Sequence, residues 1–148
     1  MGADKYWNNR QFGRLLTALG GIPVTRGTPD REALRRCITV LKGGEPLVLF
    51  PEGERKSGPL VQPLFDGATY IAVKAGVPIV PVGIGGTERA MPIGARFIRP
   101  RKVHVIIGQP IFPPEETSGK AGRDASRAMS VRLHNELQTL FDAAQLRV

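Results

Sequence analysis

Apolar residues recur at helical spacing near the start of the chain, where Trp7, Phe12, Leu15, Leu16 and Leu19 share one face. The paired Gly20-Gly21 that follows supplies a left-handed stop, so the pattern predicts a short amphipathic helix. Ile22 to Thr25 fits a short strand, and Arg26-Gly27 turns the chain into a second helix, opened by Thr28-Pro29 and running to about Lys42. Its buried stripe is Leu34, Cys37, Ile38 and Leu41. Leu47 to Phe50 is a continuous apolar run between turn residues, the pattern of a strand covered on both faces. A third helix is expected from Asp66 to Ala75, then a strand from Val77 to Ile84 in which Pro81 marks an edge or bulged position. Val103 to Ile107 is the next strand. The last helix spans about Asp124 to Ala144, with Ala125, Met129, Leu133, Leu137, Leu140 and Ala144 on one stripe.

Strands that alternate with helices of this length predict an α/β fold, a mixed and mostly parallel sheet flanked by helices. A chain of 148 residues is the size of a single domain. Twenty-one Lys and Arg against 13 Asp and Glu leave a net charge of +8, which favours an anionic partner: nucleic acid, an acidic membrane surface or a phosphorylated substrate. The one cysteine, Cys37, excludes an intramolecular disulfide and an all-cysteine zinc site, and it suits a reducing compartment. No apolar run is long enough to span a bilayer, and the opening residues lack the apolar core of a signal peptide, so no transmembrane helix or leader is expected.

The densest chemistry is Phe50-Pro51-Glu52-Gly53-Glu54-Arg55-Lys56-Ser57-Gly58, at the carboxyl end of the expected Leu47 strand, where open α/β sheets bind ligands. Arg55 and Lys56 can neutralise a phosphate, Gly53 lets the backbone approach it and Ser57 adds a donor. The same residues also suit a solvated charged turn. Gly58 is followed by Pro59, so this is no nucleotide P-loop. Arg26, after a short strand and before Gly27, is placed to reach the same strand-end surface and grip phosphate with two donors. Arg96, Arg99, Arg101 and Lys102 surround Phe97 and Ile98, a mixture suited to anionic lipid headgroups. Nucleic acid is the weakest partner, because Phe97 is a lone aromatic and no recognition-helix pattern accompanies it. His104 and His134 have no Asp or Glu at motif spacing, Cys37 lies on an apolar stripe, and no metal-ligand cluster is visible.

Three segments, in order, resemble motif blocks of the lysophospholipid acyltransferases, which include the 1-acylglycerol-3-phosphate acyltransferases. Gly21-Ile22-Pro23-Val24-Thr25-Arg26 looks like the second block, a strand ending in a substrate-binding arginine. Phe50-Pro51-Glu52-Gly53-Glu54-Arg55 looks like the third, a phenylalanine-proline-glutamate-glycine-threonine-arginine signature, with Glu54 in place of the threonine. Val77-Pro78-Ile79-Val80-Pro81-Val82 looks like the fourth. The resemblance covers about residues 4–110. It implies a glycerol-3-phosphate acyltransferase-like fold in which Arg26, Glu52, Gly53 and Arg55 bind the glycerol phosphate end of a lysophosphatidate-like acceptor.

The family's first block, His-x-x-x-x-Asp, has no counterpart: His104 is followed at that distance by Gln109 and His134 by Thr139. The expectation is therefore an N-terminally truncated acyltransferase chain that begins at an internal methionine and carries no catalytic residue of its own. The activity implied is acyl transfer from acyl-CoA or acyl-carrier protein to lysophosphatidate, giving phosphatidate. The thioester is a cosubstrate, no bound cofactor or metal is implied, and the chain would sit peripherally on the cytoplasmic side of a membrane. The alternative is a non-catalytic module that binds anionic lipid.

Overall fold

A computed structural model describes residues 2, 3, 7, 9–24, 30–54, 56–95, 97–115 and 119–148. The chain divides into two compact units, Met1–Phe50 and Pro51–Val148.

In the first unit, β1 (Gly2–Ala3) pairs in parallel with β2 (Pro23–Val24), and α1 (Arg10–Ala18) lies between them in sequence. Trp7 precedes α1 instead of extending its apolar stripe. Its indole N–H donates to Thr17 Oγ1 at 3.0 Å, and Gly13 leaves room for the Trp7 backbone, which a Cβ there would meet at 3.1 Å. The helix ends as expected, with Gly20 at φ 75° and the Gly21 N–H donating to Leu16 O at 2.7 Å. Helix α2 (Arg31–Lys42) starts at Asp30, whose carboxylate accepts from the Ala33 N–H at 2.9 Å. Asp30 is thus the cap; Thr28-Pro29, the expected opening, lies outside the described residues. Cys37 is buried on the stripe with Ala33, and burial pushes its thiol pKa up, which suits packing over reactivity.

Leu47 to Phe50 departs from expectation. It belongs to neither two-stranded sheet, and Val48 and Phe50 are 72% and 69% exposed, so the run is not covered on both faces. An apolar run fixes neither pairing nor coverage, since both depend on what lies beside it.

The second unit begins with the irregular segment from Pro51 and continues into α3 (Gly67–Ala75), closed by Gly76 at φ 70°. Strand β3 (Val82–Gly85) pairs antiparallel with β4 (His104–Ile107), and a short α4 (Thr87–Ala90) lies between them. The expected strand from Val77 shortens because Pro78 and Pro81 have no N–H to give. An isolated bridge joins Ile79 to Ile111, and the Gly108 N–H donates to Pro81 O at 2.9 Å. Two residues separate Ile79 from Val82 while three separate Ile107 from Ile111, so the extra residue of the bulge sits on the strand facing Pro81. The described strands thus form one parallel and one antiparallel pair, a mixed α/β set.

Helix α5 (Gly119–Gln145) is longer than expected and takes in part of the polar connector. Its stripe holds: Met129, Leu133 and Ala144 are buried, and Met129 and Leu133 join Ala72, Val73 and Ile111 in the core, with Leu64, Ile79 and Leu137 against it. Each such large side chain contributes roughly 1.5–3 kcal/mol by leaving water. A buried hydroxyl pair also links α3 to α5. Thr69 Oγ1 donates to Asp66 O at 3.1 Å and accepts from Ser126 Oγ at 3.0 Å, so neither hydroxyl is left unpaired.

Glycine lets β3 lie directly on α5. A Cβ on Gly83 would sit 2.5 Å from the Leu140 carbonyl carbon, and one on Gly85 equally close to that of Ala144. Two strand residues rise about 6.7 Å and four helical residues about 6 Å, so the two contacts keep step. Because the obstruction is backbone, Gly83→Ala should lower stability by about 1–3 kcal/mol, read as a lower denaturant midpoint at unchanged m. An equal midpoint would mean that the helix and strand are not in contact there.

Candidate functional site

Of the four residues expected at the site, Glu52 and Gly53 are described, and Arg26 and Arg55 lie outside the described residues. Glu52 and Gly53 sit at the head of a loop that closes on itself. The Phe65 N–H donates to Pro51 O at 2.9 Å, which brings the two ends together in the manner of an Ω-loop. Inside that closure, Glu52 is half-buried and its Oε2 accepts the Gln62 N–H at 3.0 Å. The carboxylate therefore ties the outgoing strand of the loop to the incoming one through a charge-assisted bond.

Gly53 is favoured by its backbone conformation. Its φ of 72° lies in the left-handed region that side chains avoid, and a Cβ would stand 2.6 Å from the edge of the Phe65 ring. Phe65 is itself 68% exposed, so the ring lies over the glycine turn at the loop surface. Glu54 is exposed and its Oε1 lies 2.5 Å from Lys56 Nζ, so the carboxylate in the place of the family's threonine has a cation beside it. That pairing offsets part of the repulsion an anionic ligand would meet.

The far side of the loop is held by α5. Gln138 Oε1 accepts the Val61 N–H at 2.8 Å, Gln138 Nε2 donates to Pro59 O at 3.1 Å, and His134 Nε2 lies 3.1 Å from Val61 O. A carbonyl only accepts, so that imidazole nitrogen carries the proton. None of these partners was legible from spacing, because Val61 and Gln138 are 77 residues apart. The only sequence trace is the i, i+4, i+8 series His134, Gln138, Asp142, which any solvated helix face can show. His104 lies in β4 opposite Gly85, half-buried, with no role at the loop.

The apolar and basic segment forms a second feature. Phe97 and Ile98 are 82% and 74% exposed, and Arg99, Arg101 and Lys102 beside them are exposed as well. The Arg99 N–H donates to Ala90 O at 2.8 Å, anchoring the segment to α4; Arg96 is outside the described residues.

Residues 1–85 match the family described as Acyltransferase, a span that contains the Arg26, Glu52–Arg55 and Val77–Val82 segments. The chain belongs to the acyltransferase family. A chloroplastic 1-acyl-sn-glycerol-3-phosphate acyltransferase of Brassica napus is 36% identical over 104 residues, covering 68% of this chain and 30% of that protein. The 1-acyl-sn-glycerol-3-phosphate acyltransferase of Bacillus subtilis is 31% identical over 111 residues, 75% of this chain and 53% of its own. The crystal structure of the 1-acyl-sn-glycerophosphate acyltransferase PlsC from Thermotoga maritima superposes with a TM-score of 0.66 at 30% identity, over 93% of this chain and 55% of that one. The acyltransferase fold is shared. The chain spans under a third of the Brassica protein and about half of the Bacillus and Thermotoga ones.

Breaking the Glu52 to Gln62 bond should loosen the loop without unfolding the core. Glu52→Ala is expected to cost about 1.5–3 kcal/mol locally, seen as faster amide exchange at Gln62, while Glu52→Gln keeps an acceptor and recovers much of the protection. Equal exchange in all three proteins would show that the carboxylate does not hold the loop.

Proposed function

We propose that this chain carries the acceptor-binding part of an acyltransferase that converts 1-acylglycerol-3-phosphate to phosphatidate. The single observation that supports this most is the family match through residues 1–85, which spans the three motif segments at once. The closed loop at Pro51–Phe65 agrees with it, because a glycine turn held at both ends is a suitable frame for backbone and cations to meet a phosphate. In this reading Arg26 and Arg55 grip the phosphate, Gly53 allows it close to the backbone, and Glu52 helps bind the glycerol phosphate end through the loop shape it maintains. The acyl donor is a thioester of coenzyme A or of acyl-carrier protein. The acceptor hydroxyl attacks the thioester carbonyl, the C–O bond forms, the C–S bond breaks, and the hydroxyl proton ends on the released thiol.

In this reading the base for that step is neither histidine of this chain, since neither is followed by the motif's aspartate. His134 donates its Nε2 proton to Val61 O, and His104 is a strand residue on the sheet face that packs on α5. Neither histidine has an Asp or Glu at the motif spacing, Gln109 and Thr139 standing there, and this favours a second reading, a module that binds anionic lipid without turnover. Both readings place the chain against a membrane as a peripheral protein, with Phe97 and Ile98 in the interface and Arg99, Arg101 and Lys102, with Arg96, against headgroup phosphates. Among the described residues, no helix is long and apolar enough to cross a membrane.

The phosphate grip is tested by comparing lysophosphatidate with uncharged monoacylglycerol, with thioester release followed in the same samples to separate the two readings. Each of Arg26→Ala and Arg55→Ala should weaken lysophosphatidate by about 1.5–3 kcal/mol and leave monoacylglycerol nearly unchanged. Unchanged discrimination would return the loop to a solvated turn. Release of thiol that persists when both histidines are replaced would place the base elsewhere in the chain.

Membrane association should be electrostatic as well as apolar. In flotation, the chain should bind vesicles containing anionic lipid and lose most of that binding when Arg96, Arg99, Arg101 and Lys102 are replaced together or when salt is raised. Equal binding to neutral vesicles would remove the electrostatic part of the account.

A further inference from the structure

Val61 is held by both of its backbone polar groups, and both holders are side chains of one helix. Gln138 Oε1 takes its N–H at 2.8 Å and His134 Nε2 meets its carbonyl at 3.1 Å, one turn apart on α5. The Gln138 amide is fully committed. Its Nε2 donates to Pro59 O at 3.1 Å and to Asp142 Oδ1 at 2.8 Å, two acceptors that settle which end of the amide is nitrogen. The next N–H along, that of Gln62, goes to Glu52, beside Gly53. A continuous run of bonds thus leads from α5 through Pro59, Val61 and Gln62 to the glycine turn.

The helix end of this run is rigid for an independent reason: Leu140 and Ala144 lie against the glycine backbone of β3, and the Gly86 N–H donates to Gln145 Oε1 at 3.0 Å. A loop whose exposed residues make little apolar contact otherwise samples many arrangements, and each costs affinity by the fraction of time the binding arrangement is absent. Leu64 packs on the core at the far end of the loop, but Leu60 is 64% exposed and does little to anchor the stretch that Val61 belongs to.

We propose that Gln138, supported by Asp142 and joined by His134, is a positioning residue that holds the Glu52–Gly53 turn in its phosphate-binding arrangement from α5. The proposal rests on the acceptor-binding reading above. It assigns a substrate-affinity role to a helix face that acts through the loop it holds.

The test uses the full chain with Gln138→Met, which keeps the side chain's length and helix preference and removes all of its hydrogen bonds. Thr139→Ala serves as the control, since Thr139 Oγ1 bonds only to Asn135 O within the helix. Gln138→Glu combined with Asp142→Asn is the rescue, because the carboxylate keeps an acceptor for the Val61 N–H and an amide replaces the Asp142 carboxylate that would otherwise face it at 2.8 Å. Hydrogen exchange at Val61 and equilibrium binding of glycerol 3-phosphate are read on each. Gln138→Met should exchange Val61 roughly tenfold faster, the scale of one net hydrogen bond, and bind glycerol 3-phosphate about three- to tenfold more weakly, with thermal unfolding close to the control. The Gln138→Glu, Asp142→Asn double variant should recover part of the Val61 protection and part of the affinity.

Unchanged exchange in Gln138→Met would overturn the tether. Faster exchange with the affinity of the control would overturn the positioning role and leave the phosphate reading intact. A parent chain that does not bind glycerol 3-phosphate would refute the phosphate reading and the positioning role with it, and the exchange data would then describe a tether of purely architectural use.

Discussion

The close approach of β3 to α5 is the constraint on which the second unit depends. Where Gly83 and Gly85 face Leu140 and Ala144, the backbones are so near that no Cβ fits between them. Contact of this kind fixes the helix along its axis as well as across it, because a shift in register would bring strand residues that carry a Cβ against the helix backbone in place of the glycines. The same contact sets which residues α5 presents elsewhere. With Leu133, Leu137, Leu140 and Ala144 committed to the core and sheet, the series His134, Gln138, Asp142 is left to meet the loop.

From this follows an order of rigidity. The core of Ala72, Val73, Ile111, Met129 and Leu133 is apolar and buried, and the Thr69–Ser126 pair inside it is satisfied. The loop from Pro51 to Phe65 has less such burial: Leu64 packs against the core near its end, but Leu60 and Phe65 are largely exposed, and hydrogen bonds carry much of the remaining shape. A loop held this way can keep its peptide groups near the surface, where an anion can reach them, at the cost of relying on a few bonds.

Local chemistry made most helices legible and made pairing only partly so. Gly20, Gly76 and the apolar stripe of α5 acted where the sequence placed them, because a helix stop or an amphipathic face depends on neighbours within a turn or two. Asp30 caps α2 although Thr28 offers the same chemistry in the sequence, since several polar residues close together can each begin a helix and only the folded backbone chooses. The apolar run Leu47 to Phe50 failed as a doubly covered strand for a different reason: its coverage depends on elements distant in sequence. At the site the same division holds. Gly53 was recognisable from its place in a turn, whereas the Gln62 partner of Glu52 and the α5 partners of Val61 arise from the fold and leave no periodic mark.

A carboxylate in a loop proposed to bind an anion is paradoxical only if the carboxylate faces the anion. Two acidic residues flank Gly53, and each has a partner of its own: Glu52 takes the Gln62 N–H, and Glu54 stands beside Lys56. The first interaction converts a negative charge into a structural tie, and the second places a cation within a residue of Arg55 in the sequence. An uncharged acceptor at position 52 would make a weaker bond to the peptide, because a hydrogen bond to an ionised group is about twice as strong as a neutral one. The acidic residue is therefore compatible with phosphate chemistry to the extent that its charge is spent on the backbone. In the proposed function, the basic residues that follow it in the sequence supply the field that a phosphorylated ligand meets.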